Sequence, residues 1–146
     1  MPEILIRRAG PEDAADLIAV IDAAYAPVRA TLPNLPDVSE GVARDIAENL
    51  VWVATADGEI LGGLILIAAG DHALLANVAV SPEAGGRGVG RALIAAAEAA
   101  ARDLGLAEIR LRTHARMAGN LALYARLGWR ETGRDGDSVR MAKPLS

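Results

Sequence analysis

From Leu74 to Leu104 the chain reads as an apolar strand, a glycine-dense turn and an alanine-rich amphipathic segment that follow one another directly. Leu74 to Val80 has the composition of a buried strand, and Ser81-Pro82 stops it because proline has no N–H for a ladder. Gly85, Gly86, Gly88 and Gly90 come next. Val89, Leu93, Ala96, Ala97, Ala100 and Leu104 then recur at helical spacing, with Arg91, Glu98 and Arg102 opposite and Gly105 as the stop. A helix entered through glycines has first-turn N–H groups with no partners and few side chains to cover them, which is the makings of an anion site. The residues alone therefore predict a pyrophosphate-binding loop.

Two familiar phosphate loops are excluded. There is no Gly-x-x-x-x-Gly-Lys-Ser/Thr. Gly86-x-Gly88 does not open a dinucleotide fingerprint, because Arg91 stands where the third glycine belongs and hairpins, not a βαβ unit, precede it.

The remaining chain is read in the same way. Glu3 to Ala9 is a strand, and Gly10-Pro11-Glu12-Asp13 starts a helix with proline in its first turn and acids facing the positive dipole end. Leu17, Ile18, Ile21, Ala24 and Tyr25 give that helix a buried face, and Pro27 ends it or kinks its last turn. Residues 26–38, with three prolines, are expected to be an irregular loop. Asp37 and Glu40 resemble a capping box for a second helix through Val42, Ile46 and Leu50. Val51–Thr55 and Glu59–Ala68 are strands joined by an Asp57-Gly58 hairpin turn, and their apolar character predicts that both sheet faces are covered. Glu108–Thr113 alternates as a half-exposed strand, Met117–Leu127 is a short helix closed by Gly128, and residues 129–134 and 138–141 form a last hairpin. The order is β-α-α-β-β-β-α-β-α-β-β, which neither a doubly wound nucleotide fold nor a barrel has.

Composition narrows the partners. At 146 residues a single domain over 1–146 is expected, with a core of Ala, Leu, Ile and Val, since only 3% of residues are aromatic. A net charge of −4 argues against a nucleic-acid binder, and the absence of cysteine excludes disulfides, thiolate metal sites and cysteine nucleophiles. No run reaches membrane-spanning length and no leader pattern opens the chain, so a cytoplasmic protein without a membrane partner is expected.

Asn77-Val78-Ala79-Val80-Ser81-Pro82 with Gly86-Arg87-Gly88-Val89-Gly90-Arg91-Ala92-Leu93, and Asn120-Leu121-Ala122-Leu123-Tyr124-Ala125-Arg126-Leu127-Gly128-Trp129, carry a resemblance to the GCN5-related N-acetyltransferases (GNAT). The first resembles that family's strand, proline turn and phosphate loop; the second is similar to its Leu-Tyr-x-x-Leu-Gly-Phe helix. The resemblance covers nearly the whole chain and implies an α/β fold of the α+β type, the GNAT acyl-CoA N-acyltransferase fold. That fold has a central mixed, mostly antiparallel sheet of about seven strands with four helices. It also implies direct transfer of acetyl from acetyl-CoA to a primary amine, a small-molecule acceptor more readily than a protein. The alternative is a catalytically silent domain that binds acyl-CoA as a regulatory ligand.

Carried over to this sequence, the backbone of Val78, Ala79 and Val80 would hold the pantetheine arm and thioester. The amides of Gly86, Arg87, Gly88, Val89, Gly90 and Arg91 would hold the pyrophosphate. Tyr124 matches the family's proton donor, and Asn120 either contacts cofactor or caps its own helix. Gly85 stands where the family usually has Gln or Arg, which shifts the grip onto backbone amides. His114 is a candidate general base, and Tyr25 and Arg29 are candidates for the acceptor side. Arg112 falls where a relative acting on protein N-termini has a carboxylate base, which counts against that acceptor. Homodimers are common in the family.

Overall fold

Eleven elements follow in the expected order: β1 (Leu5–Arg8), α1 (Ala14–Thr31), α2 (Val42–Glu48), β2 (Leu50–Ala56), β3 (Glu59–Ala69), β4 (His72–Val80), α3 (Val89–Asp103), β5 (Glu108–His114), α4 (Ala118–Arg126), β6 (Arg130–Asp135) and β7 (Ser138–Pro144). The computed structural model describes residues 3–31, 41–115 and 118–145, with the side chains of residues 27–31, 114 and 118–120 outside that description. One seven-stranded sheet runs in the order β1-β2-β3-β4-β5-β7-β6. It is mixed: β4 and β5 pair in parallel, whereas β1 with β2, β2 with β3, β5 with β7 and β7 with β6 pair antiparallel. By its contacts the chain divides into two compact units, Met1–Leu66 with Asn77–Ala97, and Ile67–Ala76 with Glu98–Ser146.

In the first unit the core gathers Leu17 and Ile21 of α1, Val42 of α2, Val51 and Val53 of β2, Ile60 and Ile65 of β3, and Ala79 of β4. β2 is buried from Val51 to Ala56 and β3 from Ile60 to Leu66, so both faces are covered as their apolar runs predict. Two adjacent glycines make this cover possible. A Cβ on Gly62 would lie 2.8 Å from the Ala79 carbonyl and 2.9 Å from Val89 Cγ1, and one on Gly63 would run into Leu17 Cδ1. α3 and α1 thus close on β3 at consecutive, opposite-facing positions.

Three helix boundaries differ from expectation. Pro11–Asp13 is a 3-10 turn, and Asp13 does not simply face the helix dipole. Its buried carboxylate turns back to accept from the Gly10 N–H at 2.8 Å and from both Arg7 nitrogens at 2.8 and 3.0 Å. α1 then continues past Pro27 to Thr31. Proline fixes φ near the helical value, so it forfeits one hydrogen bond without obliging the helix to stop. α2 is shorter than expected, ending at Glu48, and Leu50 opens β2 instead of closing the helix. The suggested capping pair Asp37 and Glu40 lies outside the described residues.

The hydrogen bond from Arg7 holds the Asp13 carboxyl below the usual carboxylate range. A depressed folded-state value means stability that is present above the unfolded value, about pH 4, and lost as pH falls through the folded one. Asp13→Asn should therefore be less stable than wild type at pH 7 by about 1 kcal/mol. The gap should close as urea titrations are carried from pH 7 toward pH 3.

In the second unit Ala73 and Leu75 of β4, Ile109 and Leu111 of β5, and Val139 and Met141 of β7 are buried, and Arg110 and Arg112 are exposed. β5 alternates as its sequence predicts. Both helices that end here close in the same way. Leu106 N–H donates to the Ala101 carbonyl and Gly105 N–H to Arg102; Trp129 N–H donates to Tyr124 and Gly128 N–H to Ala125. This nested pair of bonds is the Schellman motif, which satisfies carbonyls a helix end would leave bare.

Glu98 corrects the expected polar face of α3. It falls in register with Ile94, Ala97 and Ala101, inside the buried stripe, whereas Leu104 is 56% exposed. Lys143 of β7 meets the buried carboxylate at 2.8 Å and Arg102 at 3.5 Å. Lys143→Met should cost about 2 kcal/mol in urea unfolding, because one buried partner is removed and only the longer contact remains. Adding Glu98→Gln to that variant should restore most of the loss.

Candidate cofactor and catalytic site

The glycine loop is held at both ends. Ser81 N–H donates to the Leu61 carbonyl at 2.7 Å, its hydroxyl accepts from Glu83 N–H, and Ala84, buried, donates to the Ser81 carbonyl at 2.9 Å. Past this anchor Gly86 and Gly88 take φ values of +81° and +77°, and a Cβ on either would meet no heavy atom within 4 Å. The first α-helical hydrogen bond of α3 runs from Ala92 N–H to the Gly88 carbonyl at 3.0 Å. The N–H groups of Val89, Gly90 and Arg91 therefore have no carbonyl within the helix to bond. Arg87 is half-buried and Arg91 exposed, and neither forms an ion pair among the described residues.

Unpartnered amides at the positive end of a 15-residue helix, open space beside two glycines and two uncommitted guanidinium groups suit a diphosphate. The residues present thus fit the phosphate portion of coenzyme A. Gly85, which is exposed, has no side chain to supply the contact that Gln or Arg would give at that position.

β4 leads into this loop. Its register with β5 runs from His72–Glu108 to Leu75–Leu111, so Val78, Ala79 and Val80 lie beyond that ladder. Asn77, only 8% exposed, precedes them and accepts the Tyr25 hydroxyl hydrogen bond at 3.3 Å. Burial pushes the Tyr25 hydroxyl above its ordinary pKa, so it stays a donor. The acceptor-side candidate Tyr25 is thus tied to β4. An amide in an otherwise apolar strand is the sequence signal for Asn77.

Tyr124 occupies the third-last position of α4, and its carbonyl takes the outer Schellman bond. Its ring is 4% exposed and lies 5.6 Å from that of Trp129, tilted by 50°. This is the apolar contact that accompanies such a helix end, and it explains the spacing of tyrosine, glycine and tryptophan in the second motif. The side chains of Arg29, His114 and Asn120 lie outside the described residues. His72 sits 3.0 Å from the exposed Asp71, as a surface histidine would. No group of His, Asp or Glu among the described residues could hold a metal ion, and no helix there is long and apolar enough to cross a membrane.

Residues 47–131 match the acetyltransferase (GNAT) domain. The chain belongs to the GNAT acetyltransferase family. No curated protein sequence is significantly similar to it. Solved structures align over almost the entire chain. The PaiA N-acetyltransferase of Thermoplasma acidophilum, in complex with coenzyme A, superposes with a TM-score of 0.88 at 23% identity, covering 97% of this chain and 99% of that one. A GNAT-family acetyltransferase of Staphylococcus aureus Mu50 gives 0.85 at 17%, covering 99% and 100%. The ribosomal-protein-S18-alanine N-acetyltransferase of Escherichia coli gives 0.77 at 24%, covering 99% and 95%. At these identities the likeness is one of fold. Within this GNAT chain the matched span begins near the end of α2 and closes at the start of β6, so it includes the glycine loop and Tyr124.

Proposed function

We propose that this GNAT chain is a single-domain, cytoplasmic enzyme that transfers acetyl from acetyl-CoA to a primary amine of a small molecule. The observation that carries the reading is the loop from Gly86 to Arg91, where open backbone and unpartnered helix amides await a diphosphate. β3, β4 and α3 each run through both compact units, which supports treating the chain as one domain.

Bound acetyl-CoA supplies an activated acyl group and a thiol as leaving group. The amides of Gly86 to Arg91 grip its diphosphate, with Arg87 and Arg91 adding charge attraction. The backbone of Val78 to Val80, outside the β4–β5 ladder, orients the pantetheine arm. Tyr124 Oη carries the proton that the leaving sulfur requires; a phenol near pH 10 is protonated at neutral pH and acid enough to serve a thiolate of about 8.5. An acceptor ammonium with a pKa near 10 must first lose a proton, and His114 at the end of β5 is the base proposed for this. Asn120 is the proposed further cofactor residue and Arg29 the proposed acceptor-side residue, and Tyr25 orders the entrance to Val78 through Asn77.

Thiol release from acetyl-CoA and from propionyl-CoA, measured against a panel of amino acids, polyamines and N-terminal peptides, tests this reading. Amine-dependent release that is fastest with a small molecule and acetyl-CoA is the expected result. Tight coenzyme A binding without amine-dependent release would contradict it and leave a ligand-binding module.

A further inference from the structure

Away from the glycine loop, the second unit presents a groove of about 390 Å³ on the face of β5, β7 and β6, lined by Leu74, Glu108, Arg110, Arg112, Thr132 and Arg140 among others. Register puts Arg112 directly opposite Arg140, and Arg110 opposite Ala142, so the three arginines share this face. Like charges directly opposite on paired strands repel. Two of the three are answered. Arg110 Nε lies 2.5 Å from Glu108 Oε1, and Arg140 bonds Asp135. Gly133 permits the second arrangement, because a Cβ there would lie 3.0 Å from Arg140 Cζ and 3.2 Å from its Nε. The Arg140 guanidinium, which also lines the groove, is thus committed to Asp135 across β6, and Arg112 is the uncommitted one. Arg112 is exposed and has no hydrogen bond or ion pair among the described residues. Beside it, the register of β6 slips between Glu131 and Gly133, which releases Thr132 from the ladder and re-aims it to the groove.

We propose that this groove is a carboxylate subsite. The Arg112 fork takes the carboxylate, Thr132 Oγ donates to it, and Leu74 and Ala142 accept the attached apolar body. One unmatched guanidinium answers a monoanion, which favours a carboxylate over a phosphate dianion. The ligand class this names is a small monocarboxylic acid with an apolar body.

In amide NMR titrations, the N-acetyl derivatives of alanine, leucine and phenylalanine are compared with their uncharged C-terminal amides. At least one acid should move the amides of Arg112, Thr132 and Ala142, bind tenfold or more tighter than its amide, and lose that margin in Arg112→Gln. Inorganic phosphate should compete weakly. Equal binding of acid and amide, a margin kept by Arg112→Gln, or phosphate binding as tightly as the acids would overturn the subsite.

Discussion

Tyr124→Phe should lower kcat by about a hundredfold, within the range that a positioned general acid contributes, while coenzyme A affinity stays within a factor of about three. Stability should change by less than about 1 kcal/mol, because phenylalanine keeps the ring against Trp129 and the backbone bonds that close α4. The separation matters because Tyr124 has two candidate jobs. Its ring and carbonyl belong to the helix end, and the proposed proton transfer uses only its hydroxyl. Tyr124→Ala would remove both and should cost about 3 kcal/mol besides activity. Wild-type turnover in Tyr124→Phe, measured beside thermal unfolding and calorimetric coenzyme A binding, would leave the tyrosine a structural part alone.

Gly88→Val should weaken coenzyme A binding by about 10- to 100-fold, the loss of one or two charge-assisted hydrogen bonds. A Cβ at this position meets no heavy atom within 4 Å, so the new side chain would enter the open space beside the first turn of α3. The φ of +77° adds backbone strain of about 1 kcal/mol, which lowers stability independently. Gly105→Val separates the two effects. Gly105 has a φ of +75° and equally open surroundings, but it closes the other end of the same helix. It should show the strain in unfolding and no loss of coenzyme A. Equal affinity losses in the two variants would mean that strain, not occupation of the diphosphate cradle, explains Gly88.

What the sequence made legible was local chemistry with a fixed period or a fixed stop. The strand, the loop and α3 follow from apolar runs, proline and glycine, and α3 spans Val89–Asp103 against an expected 88–104. The alternation of β5 and the closing glycines of α3 and α4 are of the same kind. Hidden from it was whatever depends on which element arrives opposite. Glu98 reads as a surface residue until Lys143, 45 positions later, supplies the charge that lets it be buried. Gly62 and Gly63 read as flaws in a strand until α3 and α1 press on opposite sides of them. The irregular loop expected from residue 26 gives way to helix as far as Thr31, since proline penalises a helix interior without forbidding it. In the candidate site, Gly86 to Arg91 stand out in the sequence because an anion cradle is built from contiguous backbone. Asn77 needed Tyr25, 52 residues before it, to show that it is tied to α1.

Amide NMR on the full chain, titrated with coenzyme A, tests the central claim most directly. Diphosphate capture by this loop predicts that the amides of Gly86, Gly88, Val89, Gly90 and Arg91 show the largest shifts, and that Gly88→Val reduces them in step with affinity. Coenzyme A binding that leaves those amides unmoved would contradict the account.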